Sequence, residues 1–292
     1  MVIEPVESRH LVPFDGAFRL DGISTRPPDG AAEGKSLKKR LNKIVDGLDE
    51  WQRRLYAADT HAVLLVFQAM DAAGKDSTIR AVLRGIDPAG CQVFSFKQPS
   101  KEELDHDFLW RTARCLPEKG RVGVFNRSYY EEVLVVRVHP EFLGGQRIDV
   151  PNDLDALWEQ RYTSIREHER HLAANGTLIL KFWLNVSYEE QRRRFLSRLE
   201  EPEKNWKFAV GDVKERARWN DYMQAYEAAL AATSRPWAPW YAIPADDKPY
   251  MRWKVAAIVR KAFARLAPAY PTVAEDERVR FDEMRTLLES QA

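Results

Sequence analysis

A chain of 292 residues that is 45% hydrophobic and 30% charged can bury one sizeable core, and no apolar run in it approaches the ~20 residues a membrane helix needs. A formal net charge of +1 argues against a general nucleic-acid binder, and two cysteines, Cys91 and Cys115, suggest neither a disulfide framework nor a metal site. Acids and a proline between Met1 and His10 stand where a signal peptide needs an apolar stretch, so a cytoplasmic protein is expected.

Residues 1–34 are rich in Pro and Gly without a sustained period and read as an extended surface arm. From Ser36 to Tyr56, Leu37, Leu41, Ile44, Leu48, Trp51 and Leu55 recur at helical spacing, with Ser36 as the expected N-cap. The apolar run at 62–67 reads as a buried strand, and it leads into Gln68-Ala69-Met70-Asp71-Ala72-Ala73-Gly74-Lys75-Asp76 and a helical pattern over 75–85. Strand, loop and helix in that order make the context of a phosphate-binding loop, whose N–H groups, helix N-terminus and lysine all face an anion. Ala72, Ala73, Gly74, Lys75, Asp76 and Ser77 are the candidate phosphate cradle. Ala69 stands where the first Gly of G-x-x-x-x-G-K-[ST] belongs, and Asp76 replaces the hydroxyl residue that normally meets Mg²⁺. Asp71 inside such a loop repels phosphate unless metal ions lie between them. An ordinary tight turn is the structural alternative.

A second strand is expected at 92–97, with Lys97 a candidate phosphate contact, then a helix over 100–115. The third strand, 121–126, ends in Asn126-Arg127-Ser128-Tyr129-Tyr130-Glu131-Glu132, and a helix follows over 128–137. In open α/β sheets ligands bind beyond the carboxyl ends of the strands, so this cluster faces the same crevice as the loop after Phe67. Arg127 can fork onto phosphate, and Glu131 can hold a metal ion or its water shell. Alternatively, Asn126 and Ser128 cap the helix. His168 and His171, on a helix over 152–174, have near-ligand spacing but sit in a strongly charged stretch, and an exposed face is expected.

After a strand at 177–184, helices near 187–201 and 212–232 carry a basic run. Between Arg192 and Arg218 nine basic residues face five acids, among them Arg193, Arg194, Arg198, Lys204 and Lys207. Pro202 and Trp206 interrupt it, which suggests two helices with a mobile connection, the build of a lid over about 187–232. A charge run is equally a solvated helix face. A strand at 239–243, a helix over 248–266 and a helical tail over 271–292 complete the chain, and Trp237, Trp240 and Trp253 read as core packing. This β/α alternation predicts one α/β domain over 35–270, a three-layer α/β/α sandwich with a parallel sheet of about five strands.

Three separated motifs, Gln68–Asp76, Phe125–Val135 and Asn205-Trp206-Lys207-Phe208 with Gly211-Asp212, resemble polyphosphate kinase 2, over roughly Lys35 to Leu266. The resemblance implies a P-loop kinase-like fold that moves a phosphoryl group between inorganic polyphosphate and AMP, ADP or ATP with Mg²⁺. It makes Asp71 a metal-associated acid, Lys75 the Walker lysine and Arg127 a phosphate ligand, with Asp71 and Glu131 as the metal pair and Asn126, Arg127 and Glu131 at the nucleotide. Asn126 departs from the Asp common there, and Asn-Arg-Ser with Glu131 is similar to the subgroup accepting AMP as well as ADP. The lid cations are expected to track the long anion, and a homo-oligomer is expected. Two alternatives stay open: an ATP-dependent nucleoside monophosphate kinase, and a non-catalytic phosphate- or nucleotide-sensing protein.

Overall fold

Every position of Ala62–Gln68 is buried, as a strand covered on both faces must be, and this strand (β1) is the centre of the sheet in the computed structural model. The structure describes residues 3–291; Met1 and Val2 of the expected arm and Ala292 of the expected tail lie outside the described residues. The other strands are β2 (Cys91–Ser95), β3 (Val122–Asn126), β4 (Thr177–Asn185) and β5 (Trp240–Pro244). All pair in parallel in the order β2-β3-β1-β4-β5.

The helices are α1 (Gly34–Ala58), α2 (Lys75–Val82), α3 (Lys101–Leu104), α4 (Trp110–Ala113), α5 (Glu131–Val138) and α6 (Leu154–Ala174). They continue as α7 (Tyr188–Glu200), α8 (Pro202–Asn205), α9 (Val210–Arg216), α10 (Trp219–Thr233), α11 (Lys248–Leu266) and α12 (Glu275–Glu289). α1, α2 and α11 pack together on one face of the sheet and α5, α6 and α10 on the other, giving the expected α/β/α layers. The α1 stripe Leu37, Leu41, Ile44, Leu48 and Leu55 is buried, each side chain contributing roughly 1.5–3 kcal/mol.

The strand order sets the position of the site. From β1 the chain crosses to the far edge, β2, and from β3 it crosses back over β1 to β4, so the connections diverge between β1 and β3. A crevice opens beyond the carboxyl ends of those two strands. Register closes it tightly: Phe67 pairs with Asn126, and the Arg127 N–H donates to the Phe67 carbonyl at 3.0 Å.

Some local expectations are corrected. α1 begins at Gly34, with Glu33 at the N-cap, so Ser36 lies within the first turn. The expected helix over 100–115 is two short ones, because Asp107 accepts the Leu109 N–H at 2.9 Å and starts a new turn. The helix expected over 212–232 breaks at Arg218, whose guanidinium is drawn to Asp221 and to the Val138 carbonyl, 2.5 and 2.8 Å away. The helix expected from 128 begins only at Glu131, because Arg127 takes a left-handed backbone, φ 65°. Asn126 and Ser128 are therefore not its N-caps; Tyr130 is. His171 is exposed as expected, but His168 is half-buried edge-on to Tyr129. Both cysteines are half-buried at the edge of the core, and burial pushes their thiols up, Cys91 to about 11. Trp240 is fully buried, with Trp237 and Trp253 packed against the core.

Candidate active site

The loop after β1 turns through Ala72 at φ 60° and Gly74 at φ 107° before α2 starts at Lys75. Glycine suits that second turn, since it adopts a left-handed backbone without steric cost. Side chains from α7 hold the loop from behind. The Arg194 guanidinium donates to the Ala72 and Ala73 carbonyls at 3.1 and 2.6 Å and to the Ala245 carbonyl at 2.6 Å, and Gln191 donates to the Asp71 carbonyl at 3.0 Å. With carbonyls turned outward, the N–H groups of Ala72 and Gly74 donate to no partner among the described residues, and the first turn of α2 adds its own free donors. Free N–H groups gathered at a helix start in this way can cradle an anion.

Lys75 Nζ folds onto the Ala69 and Met70 carbonyls at 2.7 and 3.4 Å. Burial and the neighbouring Arg127 lower its pKa to about 8, against the raising influence of Asp71, Glu131 and Asp76. Across the crevice, Asn126 Nδ2 donates to Asp76 Oδ1 at 2.6 Å and ties the end of β3 to the first turn of α2. A neutral amide there makes a bond where an aspartate would set two negative charges face to face.

Arg127 is the centre of the site. Its guanidinium reaches Asp71 Oδ1 at 2.7 Å and Glu131 Oε2 at 3.1 Å. Glu131 first, then Asp71, hold its pKa above the ordinary arginine value against burial. Gln68 Nε2 donates to Glu131 Oε1 at 2.8 Å, while Gln68 Oε1 is buried with no partner among the described residues. Asp212, brought over by α9, has its carboxyl raised by burial and by the nearby Asp71 charge.

Two cavities flank this cluster. One of about 30 Å³ is bounded by Asp71, Arg127, Glu131, Glu215, Tyr222 and Tyr226. The other, about 470 Å³, runs from Arg127, Ser128 and Glu131 past Lys97 and Phe108 to Phe142 and Gln146. Its floor is fixed by charge: Gln146 donates to Glu132 at 2.8 Å and accepts from Arg161, which itself pairs with Glu132. That volume lies within the usual range of small-molecule pockets.

The lid cations have partners within the protein. Arg194, with its side chain only 5% exposed, is a clamp on the phosphate loop and is not free to track a donor. Arg193 pairs with Glu190 at 2.6 Å, and Arg198 with Asp212 at 3.1 Å. Lys204 pairs with Glu201, and Lys207 lies 4.9 Å over the Trp206 ring. Asp71, Lys75, Asn126, Arg127 and Glu131 are thus brought together, whereas Arg193, Lys204 and Lys207 are occupied within the lid region. Gln68, Asp212 and the cavity residues Phe108, Phe142 and Gln146 went unassigned in the sequence; Gln68 and Asp212 lie inside recognisable motifs, but the cavity wall is drawn from segments with no shared signal.

A sheet of this order with a phosphate loop at its switch point defines a P-loop kinase-like phosphotransferase. The family model for polyphosphate kinase 2 matches residues 32–269. The chain is 56% identical over 251 residues to the ADP-polyphosphate phosphotransferase of Rhodopseudomonas palustris, covering 85% of this chain and 86% of the relative. It is 44% identical over 264 residues to the AMP/ADP-polyphosphate phosphotransferase of Meiothermus ruber, covering 90% and 95%. The crystal structure of polyphosphate kinase 2 from Arthrobacter aurescens superposes with a TM-score of 0.82 at 36% identity, covering 96% of this chain and 100% of that one. The chain belongs to the polyphosphate kinase 2 family. Among the described residues no helix is long and apolar enough to cross a membrane.

Proposed function

We propose that this protein transfers a phosphoryl group from inorganic polyphosphate to AMP and ADP, forming ADP and ATP, with Mg²⁺. The observation that carries the reading is the guanidinium of Arg127, which joins Asp71 of the phosphate loop to Glu131 at the mouth of the 470 Å³ cavity. A donor cradled by the loop and an acceptor nucleotide in the cavity meet at that group. The Rhodopseudomonas and Meiothermus relatives support polyphosphate as the donor, and the second supports AMP as well as ADP.

Donor and acceptor are both polyanions, so repulsion is the main barrier that the site must lower. The acceptor phosphate oxygen is already ionised at neutral pH, which removes the need for a strong general base. The loop N–H groups and Lys75 bind donor phosphates, and Arg127 forks onto the oxygens that gain charge in transfer. Asp71 and Glu131, held around one guanidinium, offer the hard carboxylate oxygens that suit Mg²⁺. Held there, the ion would offset charge between the two substrates. The aromatic walls Phe108 and Phe142 can pack against the acceptor base.

Replacing polyphosphate by ATP in an assay of ADP formation from AMP tests this reading. Turnover with polyphosphate and little with ATP is expected; the reverse makes the protein a nucleoside monophosphate kinase. Membership in a family of phosphotransferases removes the non-catalytic alternative.

A further inference from the structure

Beneath the turn that carries Arg127, a buried polar network takes no direct part in phosphoryl transfer. Glu169 of α6 and Lys181 of β4, both fully buried, form an ion pair at 2.6 Å. Tyr129 and Tyr130 run from the turn down onto this pair, and each hydroxyl donates to Glu169 Oε1 at 2.9 Å. Lys181 Nζ uses all three of its donors: on Glu169 Oε2, on the Tyr130 hydroxyl at 2.7 Å, and on the carbonyl of Thr233, the last residue of α10, at 2.9 Å. One closed network thus joins β4, α6 and α10 to the turn.

Burial opposes both charges, and Glu169 and Lys181 each offset that cost for the other. Burial, then the Glu169 charge, holds both tyrosine hydroxyls far above the ordinary phenol range, so they stay protonated donors. A buried ion pair adds little stability over well-packed apolar residues, but its hydrogen bonds are directional and fix where each hydroxyl sits. That constraint falls where the site needs it. Arg127 keeps a left-handed backbone, φ 65°, which a residue with a side chain holds only where its surroundings dictate it. Its own N–H is tied to the Phe67 carbonyl at 3.0 Å. Two and three residues on, Tyr129 and Tyr130 supply the anchors in the core, and Glu131 follows at once.

We propose that Glu169 and Lys181 are positioning residues for phosphoryl transfer: through the hydroxyls of Tyr129 and Tyr130 they hold the turn that sets Arg127 and Glu131 in the crevice. The inference rests on the reading that Arg127 meets the transferred phosphoryl group. The network touches neither substrate and acts only through that turn.

The test is Tyr129→Phe, Tyr130→Phe and Glu169→Gln, each made in wild-type protein and in Arg127→Ala, and assayed for ADP formation from AMP and polyphosphate with Mg²⁺. Each phenylalanine removes one oxygen from a packed ring, so these two variants remain informative if Glu169→Gln, which strands the Lys181 charge, does not fold. Circular dichroism melts identify the folded variants. Tyr130→Phe should lower kcat roughly tenfold or more, because a small displacement of a transition-state ligand is costly, with KM for AMP and polyphosphate near wild type. In the Arg127→Ala background the same substitution should change kcat by less than about twofold, since its effect is routed through the missing guanidinium. Wild-type kcat in both folded phenylalanine variants, or equal losses in the two backgrounds, overturns the positioning role while Arg127 keeps its place in the site. Wild-type turnover in Arg127→Ala overturns the reading of Arg127 and the positioning role together.

Discussion

Arg127 and Asp71 lie 56 residues apart in the chain and 2.7 Å apart in space, and their ion pair locks the turn after β3 to the phosphate loop after β1. Glu131 completes the bridge from the other side of the same guanidinium at 3.1 Å. Removing Arg127 therefore removes a phosphate ligand and also leaves two carboxylates facing each other. Arg127→Ala should lower kcat by on the order of 10³-fold or more. It should also lower Tm, and added Mg²⁺ should raise Tm more in this variant than in wild type, because the ion replaces the lost positive charge. A variant with wild-type Tm and no added Mg²⁺ response would separate the two carboxylates from any metal role.

The Asn126–Asp76 bond, 2.6 Å long, ties the end of β3 to the first turn of α2. Asn126→Asp should reduce turnover roughly tenfold, the effect of ~1.4 kcal/mol, through repulsion at the first turn of α2. Adding Asp76→Asn should recover most of that loss. Additive losses in the double variant would mean that the two positions act separately.

Arg194 distinguishes a clamp from a donor-gripping cation. Arg194→Ala strands the Ala72, Ala73 and Ala245 carbonyls and should cost on the order of 3 kcal/mol or more in a denaturant titration. Full stability with a raised KM for polyphosphate would return Arg194 to the lid track inferred from the sequence.

Sheet and site were legible to different depths. Long apolar runs such as 62–67 and 177–184 mark buried parallel strands plainly, and the loop from Gln68 to Asp76 carries its chemistry in adjacent residues. Helix continuity was overestimated where a side chain captures the backbone, as Asp107 does, or where a tertiary partner bends the path, as Val138 does for Arg218. Charge was visible but partnership was not: Arg193, Arg194 and Arg198 look alike in sequence, yet only Arg194 turns inward onto the loop. The same limit hid the buried ion pair of Lys181 and Glu169, 2.6 Å apart, which accepts and donates bonds with Tyr130 beneath the turn that carries Arg127.

Activity should carry an alkaline limb. Burial and Arg127 hold Lys75 near 8, so in the free enzyme its ammonium is lost as pH rises through about 8, and kcat/KM for the donor should fall above that pH. The sign for stability is opposite. The folded state gives up this proton before the unfolded chain does, whose lysine titrates near 10.5, so this group stabilises the fold progressively as pH climbs between the two values. Activity should fall before Tm does. Lys248 is also lowered to about 8, so the profile belongs in Lys248→Arg as well; a limb that vanishes there assigns the ionisation to Lys248.

Formation of ADP from AMP and long-chain polyphosphate with Mg²⁺, in wild-type protein beside Lys75→Ala, tests the central claim most directly. The account predicts ADP and then ATP from wild type, with no ATP supplied at the start, and a rate at least 10³-fold lower in a folded Lys75→Ala variant. Wild-type protein that yields no ADP from polyphosphate, or a Lys75→Ala variant that turns over near the wild-type rate, would contradict it.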